Sequence, residues 1–368
     1  MFRYLFIFLR TFIFILFFSS CAFAQEVHFQ SVDTKTNASF RGLCVINDSV
    51  AWVSGSNGWV GITVDSGRNW TFSQVKGFEK CDFRSIYAFN AKSAVIANAG
   101  SPAYVLRTAD GGITWQAVYE NKDTAAFIDG MDFRDPKNGV VYGDPINGRM
   151  LMLGTHNGGK TWAEYSEARR PVMSHGEASF AASGTGIKCL LRRKIIVATG
   201  GKVSRLLVSK NRGRSWRAIT TPILQGESST GIFSFVSLSK RRMVIAGGDY
   251  KQDTLRTANL FYTYNGGKTW YAPATTTRGY RECLAVIGHS EVVAKRSMGP
   301  DMFLEPMSEN TLLAVGPGGI DISYDNGERW KGLSNEKQFH VVKKSRRGNL
   351  VIMAGGGGKL CVLRFDKH

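Results

Sequence analysis

Three arginines follow aromatic residues at widely separated places: Phe40-Arg41, Phe83-Arg84 and Tyr280-Arg281. A guanidinium offers a planar fork of donors that fits a carboxylate bidentately, so arginines brought together would grip anionic groups. Asp129, Glu177, Gly231 and His340 fall at comparable places in their own segments, and Asp144 and Asp249-Tyr250 lie in turns that could reach them. Metal chemistry is not indicated. The 6 histidines are scattered and there is no Cys-x-x-Cys pair. No cofactor is indicated either: the glycine run Gly355–Gly358 is followed by no helix whose N-terminus could hold a phosphate. No residue is assigned a catalytic role. Whether the charged groups meet depends on the elements that carry them.

Those elements are set by an eight-residue stretch that occurs at Thr63–Trp70, Thr108–Trp115, Thr155–Trp162, Ser209–Trp216, Thr263–Trp270 and Ser323–Trp330. Each copy has Ser or Thr first, Asp or Asn third, Gly fifth and Trp eighth. The acid or amide, at Asp65, Asp110, Asn157, Asn211, Asn265 and Asp325, is suited to accept backbone N–H groups just ahead of it. The glycine supplies a positive φ without steric cost. The Trp opens the next strand and packs back over the turn. Successive Trp residues are 45, 47, 54, 54 and 60 residues apart, one four-stranded propeller blade per step.

In the first blade Phe40–Ile46, Val50–Gly55, Trp59–Thr63 and Trp70–Phe72 read as strands a to d. After the sixth copy, Phe339–Val342, Leu350–Ala354 and Leu360–Phe365 form one more a-b-c set without a fourth strand, while Val27–Val32 is an orphan strand at the start. Pairing the two ends leaves no open seam. The fold expected is all-β: a seven-bladed β-propeller of four-stranded blades, closed by N-terminal strand pairing into the last blade. It forms a single domain over 25–368, with an insertion at about 288–310 in blade six.

The eight-residue stretch is identified as the Asp box, or BNR repeat, of sialidases and other propellers. Together with Ser39-Phe-Arg-Gly-Leu43, Trp52-Val-Ser-Gly55 and Phe83-Arg-Ser-Ile86, it makes residues 26–365 resemble the propellers that assist photosystem II assembly, which have many secreted bacterial relatives. The resemblance implies a non-enzymatic binding scaffold that docks through an arginine patch, and Arg41, Arg84 and Arg281 match positions of that kind. Blades three to five and seven lack the Phe-Arg opening, and the blade-six insertion has no counterpart.

In such a propeller the first residues of every strand a ring one mouth of the central channel. The expected binding surface is therefore Arg41, Arg84, Asp129, Asp144, Glu177, Asp249, Tyr250, Arg281 and His340. The alternative is that these charges pair with one another around a wet channel. The a–b turns meet on the opposite face, where Arg192, Arg193, Lys194, Lys240, Arg241, Arg242, Lys343, Lys344, Arg346 and Arg347 form a basic patch. This patch suits anionic lipid or acidic glycan; the alternative is a set of solvated turns.

Residues 1–24 read as a signal peptide: Arg3 and Arg10, an apolar core over Phe12–Phe18, and a small-x-small site at Ala22–Ala24. Cleavage near Ala24 predicts a secreted or periplasmic protein; a lipoprotein anchored through Cys21 is the rival. The formal charge of +18 falls to +16 without the two leader arginines. Export makes nucleic acid an unexpected partner despite that charge. The expected function is a monomeric, non-catalytic scaffold for a protein or envelope component. The alternative is a sialidase-like glycoside hydrolase, with the three arginines holding a substrate carboxylate and Tyr280 or Tyr250 as nucleophile.

Overall fold

The computed structural model describes residues 27–190, 193–296 and 303–365, so the leader, Cys21, Ala24 and Arg192 lie outside the described residues. Seven antiparallel sheets form a ring of propeller blades, with strand a innermost in each except blade five. Blade one is Phe40–Val45, Ala51–Gly55, Trp59–Thr63 and Thr71–Gln74. The closing strand is as expected: Val27–Ser31 pairs with Leu360–Phe365 and becomes the outer strand of blade seven. Apolar residues of neighbouring sheets interlock between blades. The largest cluster joins blades six, seven and one, where Val27 and Phe29 of the closing strand pack against buried Val362, Leu363 and Met353.

All six eight-residue turns close alike. The first hydroxyl donates to Oδ1 of the third residue and accepts the N–H of the glycine, while that Oδ1 accepts the N–H of the seventh residue. Only an acceptor is required at the third place, so Asn serves as well as Asp. Only a backbone N–H is required at the seventh, so Asn69 and Arg329 are tolerated. The bonds hold the Asp65 and Asp110 carboxyls down at about 2, through the Asn69 backbone N–H in one and the Thr114 hydroxyl in the other. Depressed acids contribute stability that is present above about pH 4 and lost as pH falls toward 2. Thr108 is buried and supplies two of the bonds of its turn, at 2.8 and 3.0 Å. Thr108→Val should cost about 1–2 kcal/mol in urea denaturation.

Two features depart from a uniform repeat. The blade-six insertion is no loop: strands a and b lengthen to Cys283–Arg296 and Phe303–Gly316 and pair with each other throughout. Blade five has a single bridge, Tyr262 to Tyr271, in place of its outer strand, and gains two short strands inside, Gly200–Gly201 and Glu177–Ala178. The chain before blade four is thereby carried inward, over the channel.

Candidate functional site

The channel mouth is built by a defect repeated in strand a. In blades one, three, five and seven the pairing between strands a and b skips one residue, leaving Arg41, Asp129, Phe233 and His340 unpaired. A bulge of this kind re-aims a side chain and ends regular pairing. The registers of blades two and four put Arg84 and Thr185 at the equivalent place. In blade six the equivalent is Glu282. A Cβ on Gly316 would meet Tyr280 O and Arg281 Cα, just as one on Gly55 would meet Ser39 O and Phe40 Cα. Arg281 thus holds the inward position of Phe40, and the sequence alignment of Arg281 with Arg41 was one residue out. A slip of one turns a strand residue to the opposite face.

The consequence is visible in the partners. Arg281 is fully buried, its Nε 2.7 Å from Asp321 Oδ2 and one terminal nitrogen 2.7 Å from Tyr280 O. The three-arginine grip needed by a sialidase-like enzyme is therefore not assembled. Glu282 instead faces the mouth and accepts from Arg41 at 2.6 Å and meets His340 Nδ1 at 3.0 Å. Burial pushes the Glu282 carboxyl up, but the His340 hydrogen bond and the Arg41 charge outweigh it and hold the pKa below the usual value. Arg84 pairs with Asp82 at 2.7 Å. Glu177, expected at the rim, is buried under blade four, bound by Arg205 and by the Thr199 hydroxyl at 2.7 Å. Asp249 is buried and accepts the N–H of Lys251 in its own turn. Gly231 pairs with Gly200, and Phe233 takes its place at the mouth.

The channel does not run through. Residues 179–186 cross it, small apart from Phe180 and closely held: Ser179 N–H donates to Asp144 at 3.0 Å, Arg41 to Ala182 O at 3.1 Å, Ser183 Oγ to Glu282 O at 2.9 Å, and Thr185 Oγ1 to Ser234 at 2.8 Å. These bonds reach blades one, three, five and six. Gly184, at φ +63°, makes the turn beside Arg84 O. The run Ala181-Ala182-Ser183-Gly184 is the one sequence signal for this plug, since only small side chains fit a crossing strand in a narrow channel. The plug floors a mouth pocket of 490 Å³ on one side. On the other it bounds a 190 Å³ cavity lined by Lys188, Lys343, Lys344, Arg346 and Asp132.

The mouth pocket joins two chemistries. Phe180 stacks on Phe233 with centroids 3.8 Å apart, and Tyr250 and Tyr280 stand edge-on to Phe233 at 6.2 and 4.6 Å. Tyr250 is 48% exposed, so this wall is open to a partner. Opposite lie Asp129 and Asp144. Asp129 is 1% exposed, and neither carboxylate oxygen has a hydrogen-bond partner among the described residues. Burial, and then the Asp144 charge, push its pKa well above the usual value against the opposing pull of Arg84. Burial raises Asp144 as well, although the Ser179 N–H favours its charged form. The pocket lining counts Asp129, Asp144, Asp253 and Glu282 against Arg41 and Arg84. It is acid-rich in a basic protein, the reverse of the carboxylate grip expected from the arginines.

The opposite face carries the basic turns. Lys240 and Arg241 are exposed, Arg242 lies over Tyr264 at 4.8 Å, and Arg346 over Tyr87 at 4.6 Å while lining the inner cavity. Arg347 is exposed at the same turn as Arg346. Lys343 turns into the channel, where burial and the nearby Lys188 bring its pKa down to about 8. Arg193 and Lys194 line a cleft at the rim of blades three and four. Among the described residues no group of three His, Cys, Asp or Glu is placed to hold a metal, and no helix is long and apolar enough to cross a membrane.

No protein-family model and no curated protein matches the chain. Solved structures do, at low identity. YCF48 bound to D1 peptide shares 14% identity over 92% of this chain and 97% of its own, with a TM-score of 0.59. YCF48 from Cyanidioschyzon merolae shares 16% over 91% and 98%, with a TM-score of 0.57. Virginiamycin B lyase from Staphylococcus aureus shares 9% over 92% and 99%, with a TM-score of 0.59. A peptide binder and a lyase sit equally well on this backbone, so the likeness establishes the propeller and leaves function to the site.

Proposed function

We propose that this chain is an exported, non-catalytic propeller that captures a protein partner at the plugged channel mouth, and that the captured segment brings a cationic side chain beside an apolar one. The observation that carries the reading is Asp129: a buried carboxyl without a hydrogen-bond partner among the described residues, held by a β-bulge at the edge of an open aromatic pocket. Leaving such a group unpaired costs stability unless something occupies the site. Arg41 and Arg84 are already bound to carboxylates and serve to shape the rim. The aromatic wall fits the partner's apolar residue, and Tyr250 can also face a cation with its ring. YCF48, solved bound to D1 peptide, shares the fold.

Export rests on the leader-like residues 1–24, and N-terminal sequencing of the mature protein should begin near Gln25. The mouth is tested by panning purified protein against displayed random heptapeptides. Sequences with Lys or Arg next to an aromatic or aliphatic residue should be enriched, and Tyr250→Ala should lose that enrichment. Enrichment of acidic peptides would overturn the reading.

A further inference from the structure

The cleft at the rim of blades three and four is lined by cations with no acid among the described residues that line it, whereas the basic inner cavity also holds Asp132. The cleft, of 270 Å³, is lined by Arg134, Arg169, Arg193, Lys194, Arg212 and Arg214, with His156 at one edge. Among the described residues only Arg134 has an acidic partner there, Asp135 at 3.1 Å. Packing like charges in a concave space raises the potential within it and favours an anion with several acceptor oxygens.

The main chain that carries these cations is tied together, and the Arg169 guanidinium is held in place. Arg169 lies over the Tyr165 ring at 4.1 Å and donates to Arg212 O at 3.1 Å; its own carbonyl accepts from Trp216 Nε1 at 2.9 Å. Its Nε is buried and has no hydrogen-bond partner among the described residues. The Arg212 N–H in turn donates to Arg193 O at 2.9 Å. Three arginines from a linker, an a–b turn and an eight-residue turn are thus brought to one edge of the cleft, Arg193 and Arg212 linked through their main chains.

Two of them stand in left-handed backbone conformation, Arg193 at φ +71° and Arg212 at +63°. Arg212 occupies the fourth place of its repeat, where the other copies have Ser66, Gly111, Gly158, Gly266 and Asn326, all at positive φ. Glycine and asparagine suit that conformation and arginine does not, so the turn carries a strained cation where three of its siblings carry glycine. The repeat explains the turn; it does not explain the arginine.

We infer that this cleft is a binding site for a phosphate or sulfate group, independent of the channel mouth. Guanidinium groups converging on one cleft match the oxygens of such a dianion, and Lys194 adds a point charge. Burial, with the nearby Lys210 and Arg217, draws the Lys194 pKa down, a cost that a bound anion relieves. The group can arrive free, on a soluble polymer or on a lipid headgroup; the cleft recognises the oxyanion in each.

The test titrates the full mature protein with inorganic phosphate at constant ionic strength, followed by calorimetry. Arg193→Ser with Arg214→Ser, both exposed and outside any blade core, should weaken binding at least tenfold. Arg212→Gly should weaken it while leaving the melting temperature unchanged or higher, which a merely structural arginine would not allow. Lys240→Ser with Arg241→Ser, a pair of equal charge elsewhere on the same face, should change affinity less than twofold. Equal losses from both pairs, or no saturable binding by the wild type, would overturn the site. Vesicles containing phosphatidic acid separate the sources. Retention that free phosphate displaces and the Arg193/Arg214 variant lacks assigns the headgroup to the cleft, and retention that survives in that variant counts against it.

Discussion

Replacing Asp321 by alanine should destabilise the propeller by about 5 kcal/mol, and replacing Arg281 by about 3 kcal/mol, both in the range for breaking a buried ion pair. Asp321 is buried in strand c of blade six and takes bonds from two guanidiniums, Arg281 Nε at 2.7 Å and Arg278 Nε at 2.9 Å. Without it, Arg281 keeps its charge in a fully enclosed position where, among the described residues, only Tyr280 O accepts from it. Without Arg281, Asp321 still has Arg278, so the second loss is the smaller. Arg41→Ala removes a half-buried partner of Glu282, which keeps His340, and should cost less than either. Urea denaturation of the three variants gives the order. A silent Arg281→Ala would mean that the side chain is at the solvent-facing mouth after all.

Deleting residues 25–33 should lower the melting temperature by roughly 5–10 °C, the shift for about 5 kcal/mol in a domain of this size. The strand makes five residue pairs with Leu360–Phe365, and Val27, Phe29 and Val32 pack on the cluster shared by blades six, seven and one. Each net hydrogen bond contributes about 1 kcal/mol and each half-buried side chain about 1 kcal/mol. The deletion also exposes the backbone of Leu360–Phe365 as an open edge, so the variant should aggregate at concentrations where the full chain does not. An unchanged melting temperature would show that the ring closes without this strand.

The blade count and the end-to-end closure were legible because both rest on repeated local signals, a turn with fixed residue types and apolar strands between. The mouth was only partly legible. Arg41, Arg84, Asp129 and Asp144 line it as expected, since they follow or face well-marked strands. Blade six misled: Tyr280-Arg281 imitates Phe40-Arg41 in residue type, but the register set by Gly316 places Glu282 in the rim. A one-residue shift leaves no trace in residue types when both neighbours are polar. Glu177 was misjudged because the chain before blade four leaves its sheet to plug the channel, a tertiary excursion that periodicity does not encode. The cleft at blades three and four escaped notice since its arginines lie in separate turns, and only the angle between adjacent blades unites them.

Asp129 is the group on which the mouth reading stands. Its folded-state pKa lies above its unfolded value, so the folded protein holds a proton that the unfolded chain gives up. The stability it contributes therefore falls as pH rises above about 4. Asp129→Asn keeps the shape and removes that loss, and its melting temperature should exceed the wild type's by a margin that widens as pH rises above about 4. The direct measurement is the dissociation constant, at pH 7, of a Lys- or Arg-containing peptide selected on the wild-type mouth, compared between wild type and Asp129→Asn. A loss of tenfold or more, about 1.4 kcal/mol, in a variant that is more stable than its parent is the expected result. Equal affinity in the two proteins would contradict it, because the buried carboxyl would then be no part of the site.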